Sequence, residues 1–124
     1  PENHYNWINI EQILFEFEDD LDIFEELYLD YKDRYSSMLS ELSAAYDNKD
    51  LEKIKISAHT LKGVVANFYS DKLTQSAFVI EQAAKEGDLS SFETLFSTFK
   101  ENNEAVLKEI ERLVDEQKKL IEAA

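Results

Sequence analysis

Ile54-Lys55-Ile56-Ser57-Ala58-His59-Thr60-Leu61-Lys62-Gly63-Val64-Val65-Ala66-Asn67-Phe68 is the stretch that orients the rest of the chain. At about 100° per residue, Ile54, Ala58, Leu61, Val65 and Phe68 share one stripe, in steps of four and three, the spacing of a helix face turned into a core. Measured from the centre of that stripe, His59 lies roughly 140° away, Gly63 roughly 180°, Ala66 roughly 120° and Ile56 roughly 200°. His59 is therefore predicted to face water.

Two features of the outward face cost the helix something. Gly63 in mid-helix is worth about 0.5–1 kcal/mol less than alanine, so its presence needs a reason other than helix stability. It removes bulk one turn after His59, and Ile56 and Ala66 extend the clearing into a small apolar patch. Lys62, three residues after His59, is a helical neighbour whose ammonium can reach the ring or a group attached to it.

Outward from this helix, the chain reads as a series of further helices. Residues 1–8 are expected to form a flexible tail, with His4 incidental, although Trp7 and Ile8 are placed to act as an apolar anchor for the helix that follows. Asn9 can cap a short helix starting near Ile10, and the charge run Glu18 to Asp22 marks a turn. From Asp22 to about Tyr46, a stripe of Phe24, Tyr28, Tyr31, Tyr35, Met38, Leu42 and Ala45 predicts a long amphipathic helix, and Asp50 caps the next one. Ser70 caps a fourth helix whose core face is Leu73, Ala77, Ile80 and Ala84, with Phe78, Glu81 and Lys85 along one flank. Gly87 ends it and Asp88 is expected to cap the last helix. That helix carries a seam of Leu89, Phe92, Phe96, Phe99, Val106, Ile110, Leu113 and Leu120, interrupted by Asn103 and Gln117. Residues from about 115 to 124 are expected to overhang the bundle and pack on the N-terminal helix or another chain.

Composition narrows the class. The 124 residues, with two glycines and one proline, read as a single all-α domain, an antiparallel four-helix bundle with a short extra N-terminal helix. There are no cysteines, which excludes a disulfide framework. No apolar run suits a membrane span and no secretory signal is present, so a cytoplasmic location is expected. The start at Pro1 suggests a processed or excerpted chain. A net charge of −14 argues against nucleic acid. Residues 1–50 carry a net −11 and residues 51–124 a net −3. Between Lys53 and Gln75, Lys53, Lys55, Lys62 and Lys72 face only Asp71, a locally basic window around the histidine. Metal-ligand spacing, a hydrolase triad and a Gly-rich phosphate loop are all missing from the sequence, so no cofactor, metal or ATP site is expected.

The segment Ala58-His59-Thr60-Leu61-Lys62-Gly63, followed by small and apolar residues through Asn67-Phe68, resembles the signature of histidine-containing phosphotransfer (HPt) domains of two-component phosphorelays. The likeness covers roughly residues 15 to 115, including the acidic helix before the motif, Asp50-Leu51, Leu73 and Glu86-Gly87-Asp88-Leu89. It implies that the short N-terminal helix lies across the end of the bundle, with Ile10, Ile13, Leu14 and Phe17 towards it. It also implies that His59 accepts a phosphoryl group from a receiver-domain aspartate and passes it to another. In that scheme Lys62 steadies the phosphoryl group and Gly63 admits the receiver. Ile56, Lys55, Ala66 and Phe78 would meet the partner, a response-regulator receiver or a hybrid histidine kinase.

Many members of that family place a glutamine or glutamate near the histidine. By spacing the match here is Glu81, with Gln82 as the alternative and a solvated surface carboxylate as the competing reading. Many also have glycine two places after the asparagine, where this chain has Tyr69, so either a differently shaped turn or a different end to the motif helix is expected there. The resemblance implies a monomeric phosphocarrier rather than an enzyme, with any metal ion supplied by the receiver. The reading from another class is a helical scaffold that holds a partner through the patch around Gly63 without phosphorylation.

Overall fold

The computed structural model describes residues 4–123. Five helices follow in order: α1 (Ile10–Glu16), α2 (Leu21–Asp47), α3 (Leu51–Val65), α4 (Asp71–Glu86) and α5 (Phe92–Ala123). A single 3-10 turn, Ala66–Phe68, extends α3. Short connections make consecutive helices antiparallel neighbours, and α2 to α5 form the four-helix bundle that the periodicity predicts. α3 packs between α2 and α4, and α4 packs on α5.

Helix starts follow the capping chemistry. The side chains of Asn9, Asp50 and Ser70 accept hydrogen bonds from the backbone N–H groups of Gln12, Lys53 and Leu73. Gly87 ends α4 at φ +72°, a left-handed cap that glycine adopts without Cβ strain. Asp88 does not cap α5. Its carboxylate accepts from both the backbone N–H and the hydroxyl of Ser90, closing a turn, so α5 begins four residues later at Phe92. After α3, Tyr69 takes the left-handed conformation (φ +53°, ψ +48°). The turn keeps a shape suited to glycine although a tyrosine occupies it.

The expected stripes supply the core: Phe24, Tyr28, Tyr31, Leu42 and Ala45 of α2, Ile54, Ala58, Leu61 and Val65 of α3, and Leu73, Ala77, Ile80 and Ala84 of α4 are buried. Phe24 meets Phe68 edge-on at 6.0 Å and Phe17 at 5.2 Å, tying α1, α2 and the end of α3 together. Asn103 does not interrupt the α5 seam. It is fully buried, and its Oδ1 accepts a 2.6 Å hydrogen bond from the Tyr31 hydroxyl.

The N-terminal stretch is held more firmly than a flexible tail. The Glu109 carboxylate accepts from the backbone N–H groups of Asn6, Trp7 and Ile8, the Tyr5 hydroxyl donates to Glu116, and Ile8 is buried. These bonds tether residues 5–8 to α5; residues 1–3 of the expected tail lie outside the described residues. α1 packs at the end of the bundle that holds the start of α2 and the α3–α4 connection, where the N–H of Asn9 donates to the carbonyl of Tyr69. Ile13 is buried there, whereas Leu14 stays 41% exposed beside an open groove. Among the described residues, no helix is long and apolar enough to cross a membrane.

Candidate functional site

The α3 stripe turns inward, and the opposite face opens where the helical projection puts it. The side chain of His59 is 67% exposed, while Ile56, Gly63 and Ala66 are exposed around it. An alanine Cβ at Gly63 would meet no atom within 4 Å beyond the backbone of its own helix and its chain neighbours. Nothing in the fold therefore requires glycine, and what it provides is a low surface beside the imidazole.

Glu81 organises the site from below. It lies one turn after Ala77 on α4, at the edge of the buried face, and is 5% exposed. Its Oε2 lies 3.0 Å from His59 Nδ1 and its Oε1 lies 2.8 Å from Lys62 Nζ. One carboxylate thus joins two side chains of the neighbouring helix. Burial pushes the Glu81 carboxyl up, but hydrogen bonds from Lys62 and His59, with their charge, outweigh it and hold its pKa below the ordinary value. An ionised carboxylate only accepts, so the imidazole donates from Nδ1, and in the neutral ring this leaves the lone pair on Nε2. The solvated-surface reading of Glu81 is corrected: a buried carboxylate is tolerable here because the two donors facing it come from α3.

Lys62 is less free than its place in the sequence suggests. Its ammonium is tied to Glu81 and lies 5.0 Å from the ring centre of half-buried Phe78, leaving the side chain 25% exposed. Lys55 pairs with Glu52 at 3.2 Å, and Lys72 lies over the Trp7 ring. The basic window around the histidine is therefore partly neutralised by its own neighbours. Gln82, the alternative to Glu81, has no part in this network among the hydrogen bonds formed by the described residues.

Sequence reading missed that Glu81 holds Lys62 as well as His59. The available signal was the row Leu73, Ala77, Glu81 at four-residue spacing, which continues a buried row into a carboxylate. Leu51, 40% exposed in the first turn of α3, also went unremarked as an exposed apolar residue on the motif helix.

The family model of the Hpt domain matches residues 26–116. Among solved structures, the crystal structure of histidine-containing phosphotransfer protein B (HptB) from Pseudomonas aeruginosa PAO1 shares the fold. It aligns with a TM-score of 0.75 at 19% identity, over 90% of this chain and 95% of that one. No curated protein sequence matches the chain.

Proposed function

This chain belongs to the Hpt domain family, and from that premise we propose that His59 is its phosphoacceptor, taking a phosphoryl group from a receiver-domain aspartate and passing it to another receiver. The observation that carries the reading is the imidazole held at Nδ1 by a buried carboxylate, with Nε2 left to the solvent beside Gly63.

In the forward step, Nε2 attacks phosphorus in line. The Nε2–P bond forms as the bond to the aspartate oxygen breaks, and its electron pair stays on the leaving carboxylate. The ring gains positive charge with its proton still on Nδ1, and the Glu81 carboxylate 3.0 Å away offsets that charge. Lys62 carries three N–H donors, so it can give one to Glu81 and another to a phosphoryl oxygen. Ile56, Gly63 and Ala66 form the ground on which a receiver settles, with Lys55 and Phe78 at its margin. Every residue that the mechanism asks of this chain positions or accepts a phosphoryl group, which is the work of a phosphocarrier.

The test is to incubate the chain with phosphorylated receiver domains and follow acid-labile, base-stable phosphate, with His59→Gln alongside. Label on the wild type and none on the variant is expected. The substitution removes a donor to the buried Glu81 carboxylate and should cost about 1–2 kcal/mol, so urea unfolding of the variant accompanies the assay and loss of label from a folded variant reports chemistry. Label retained on His59→Gln, or no label from any receiver, would overturn the assignment.

A further inference from the structure

Exposed apolar side chains collect at the end of the bundle that α1 covers. Leu14, Phe15, Ile23, Leu29, Leu120 and Ile121 are all 41% or more exposed and lie on α1, the N-terminal third of α2 or the last turns of α5. Between α1 and α5 runs a groove of about 700 Å³ lined chiefly by Tyr5, Ile10, Leu14, Leu113, Gln117 and Leu120. Ile121, one residue on, faces a smaller cleft with Leu21 and Val114. Exposed apolar surface gathered in this way marks an interaction site rather than ordinary scatter.

The segment that supplies the α1 side of the groove has one sign of charge. Residues 1–31 contain no lysine or arginine, and Glu11, Glu16, Glu18, Asp19, Asp20 and Asp22 fall on or beside α1. On α5, Lys118 is paired with Glu25 at 2.8 Å and Glu116 is engaged by Tyr5, which leaves Lys119 as the cation lining the groove. We propose that this groove seats a basic amphipathic helix of a partner protein. The helix would lay its apolar stripe between α1 and α5 and turn its lysines and arginines towards the acidic rim. A second copy of this chain would bring its own acidic rim against the first, and an anionic membrane would be repelled likewise. None of the lining residues lies on α3 or α4, so the groove can be filled while His59 is engaged, and the inference stands apart from the phosphotransfer reading.

The probe is a synthetic peptide of about five helical turns, with leucines at i, i+3, i+4 and i+7 spacing and lysines elsewhere, titrated into the isotopically labelled chain. Two controls accompany it: the same leucine stripe with glutamates for lysines, and the lysine peptide scrambled to lose its stripe. Binding at least about tenfold tighter than either control is expected, with amide shifts centred on Leu14 and Leu120. Leu120→Glu, at a position 64% exposed, should fold normally and lose that advantage. Equal binding of the scrambled peptide, shifts centred on Gly63, or dimerisation of the free chain through Leu14 and Leu120 on sedimentation would each overturn the proposal.

Discussion

Replacing Glu81 with glutamine keeps the shape of the side chain and removes the charge that Lys62 and His59 share. The carboxylate side chain is 6% exposed and holds its two partners at 2.8 and 3.0 Å. Hydrogen bonds to a charged group contribute about 1.5–3 kcal/mol each, and desolvation of the carboxylate offsets part of that. The variant amide can still accept from one of the two donors. Lys62, 25% exposed, can turn its ammonium to water, so the cost stays below the roughly 3–5 kcal/mol of a stranded buried charge. A loss of about 1–2 kcal/mol at pH 7 is expected. Its pH dependence has a definite sign. Because the folded pKa of Glu81 is lowered, its stabilisation is fully present above the ordinary carboxyl pKa and fades as pH falls through the folded value. Urea unfolding of wild type and Glu81→Gln at pH 7, 5 and 3 should show a gap that closes at the acid end, with the other carboxylates cancelling in the difference. A gap under about 0.5 kcal/mol at pH 7, or one undiminished at pH 3, would refute the shared hold on Lys62 and His59.

Gly63→Ala should stabilise the fold by about 0.5–1 kcal/mol in urea, since a Cβ meets nothing within 4 Å. Gly63→Gln should leave the fold intact and slow phosphoryl uptake from a receiver by about tenfold or more, equivalent to about 1.4 kcal/mol in the barrier. Tyr31→Phe removes the donor to Asn103 Oδ1 in a fully buried pair whose amide Nδ2 already has no protein partner, so chemical denaturation should report a loss of about 1–3 kcal/mol. Burial, with the Glu116 carboxylate beside it, pushes the Tyr5 hydroxyl up to about 12. A raised tyrosine pKa stabilises the fold fully below pH 10 and loses that contribution between pH 10 and 12, so the thermal midpoint of wild type should fall more steeply there than that of Tyr5→Phe.

Periodicity made the bundle legible because α2, α3 and α4 each present one unbroken apolar stripe, and Asn9, Asp50 and Ser70 mark the starts of α1, α3 and α4 with side chains that have one obvious backbone partner. The departures arise where local chemistry has two outlets. Asp88 has the composition of a cap, yet Ser90 two residues on offers both a hydroxyl and an N–H, and the turn they close takes the carboxylate away from α5. Asn103 reads as a break in an apolar seam until the Tyr31 hydroxyl, 72 residues earlier, is set opposite it. Tethering of residues 6–8 likewise depends on Glu109, a partner about a hundred residues away that no window along the sequence relates to them.

The exposed half of the site was legible and the buried half was not. One helix decides what His59, Gly63 and Lys62 face, and a projection at constant pitch is enough for that. What Glu81 does depends on the register between α3 and α4, because the same residue is a solvated flank in one register and a shared anion in the next. The two helices pack on each other and bury Ala58, Leu61 and Val65 of α3 and Leu73, Ala77 and Ile80 of α4 in one core, and the small side chain of Ala77, one turn before Glu81, favours their close approach. Close packing therefore does electrostatic work here: it draws a carboxylate out of water to where two donors of the facing helix can hold it. A change that spreads α3 from α4, such as Ala77→Leu, should weaken the hold on Nδ1 without touching any polar residue.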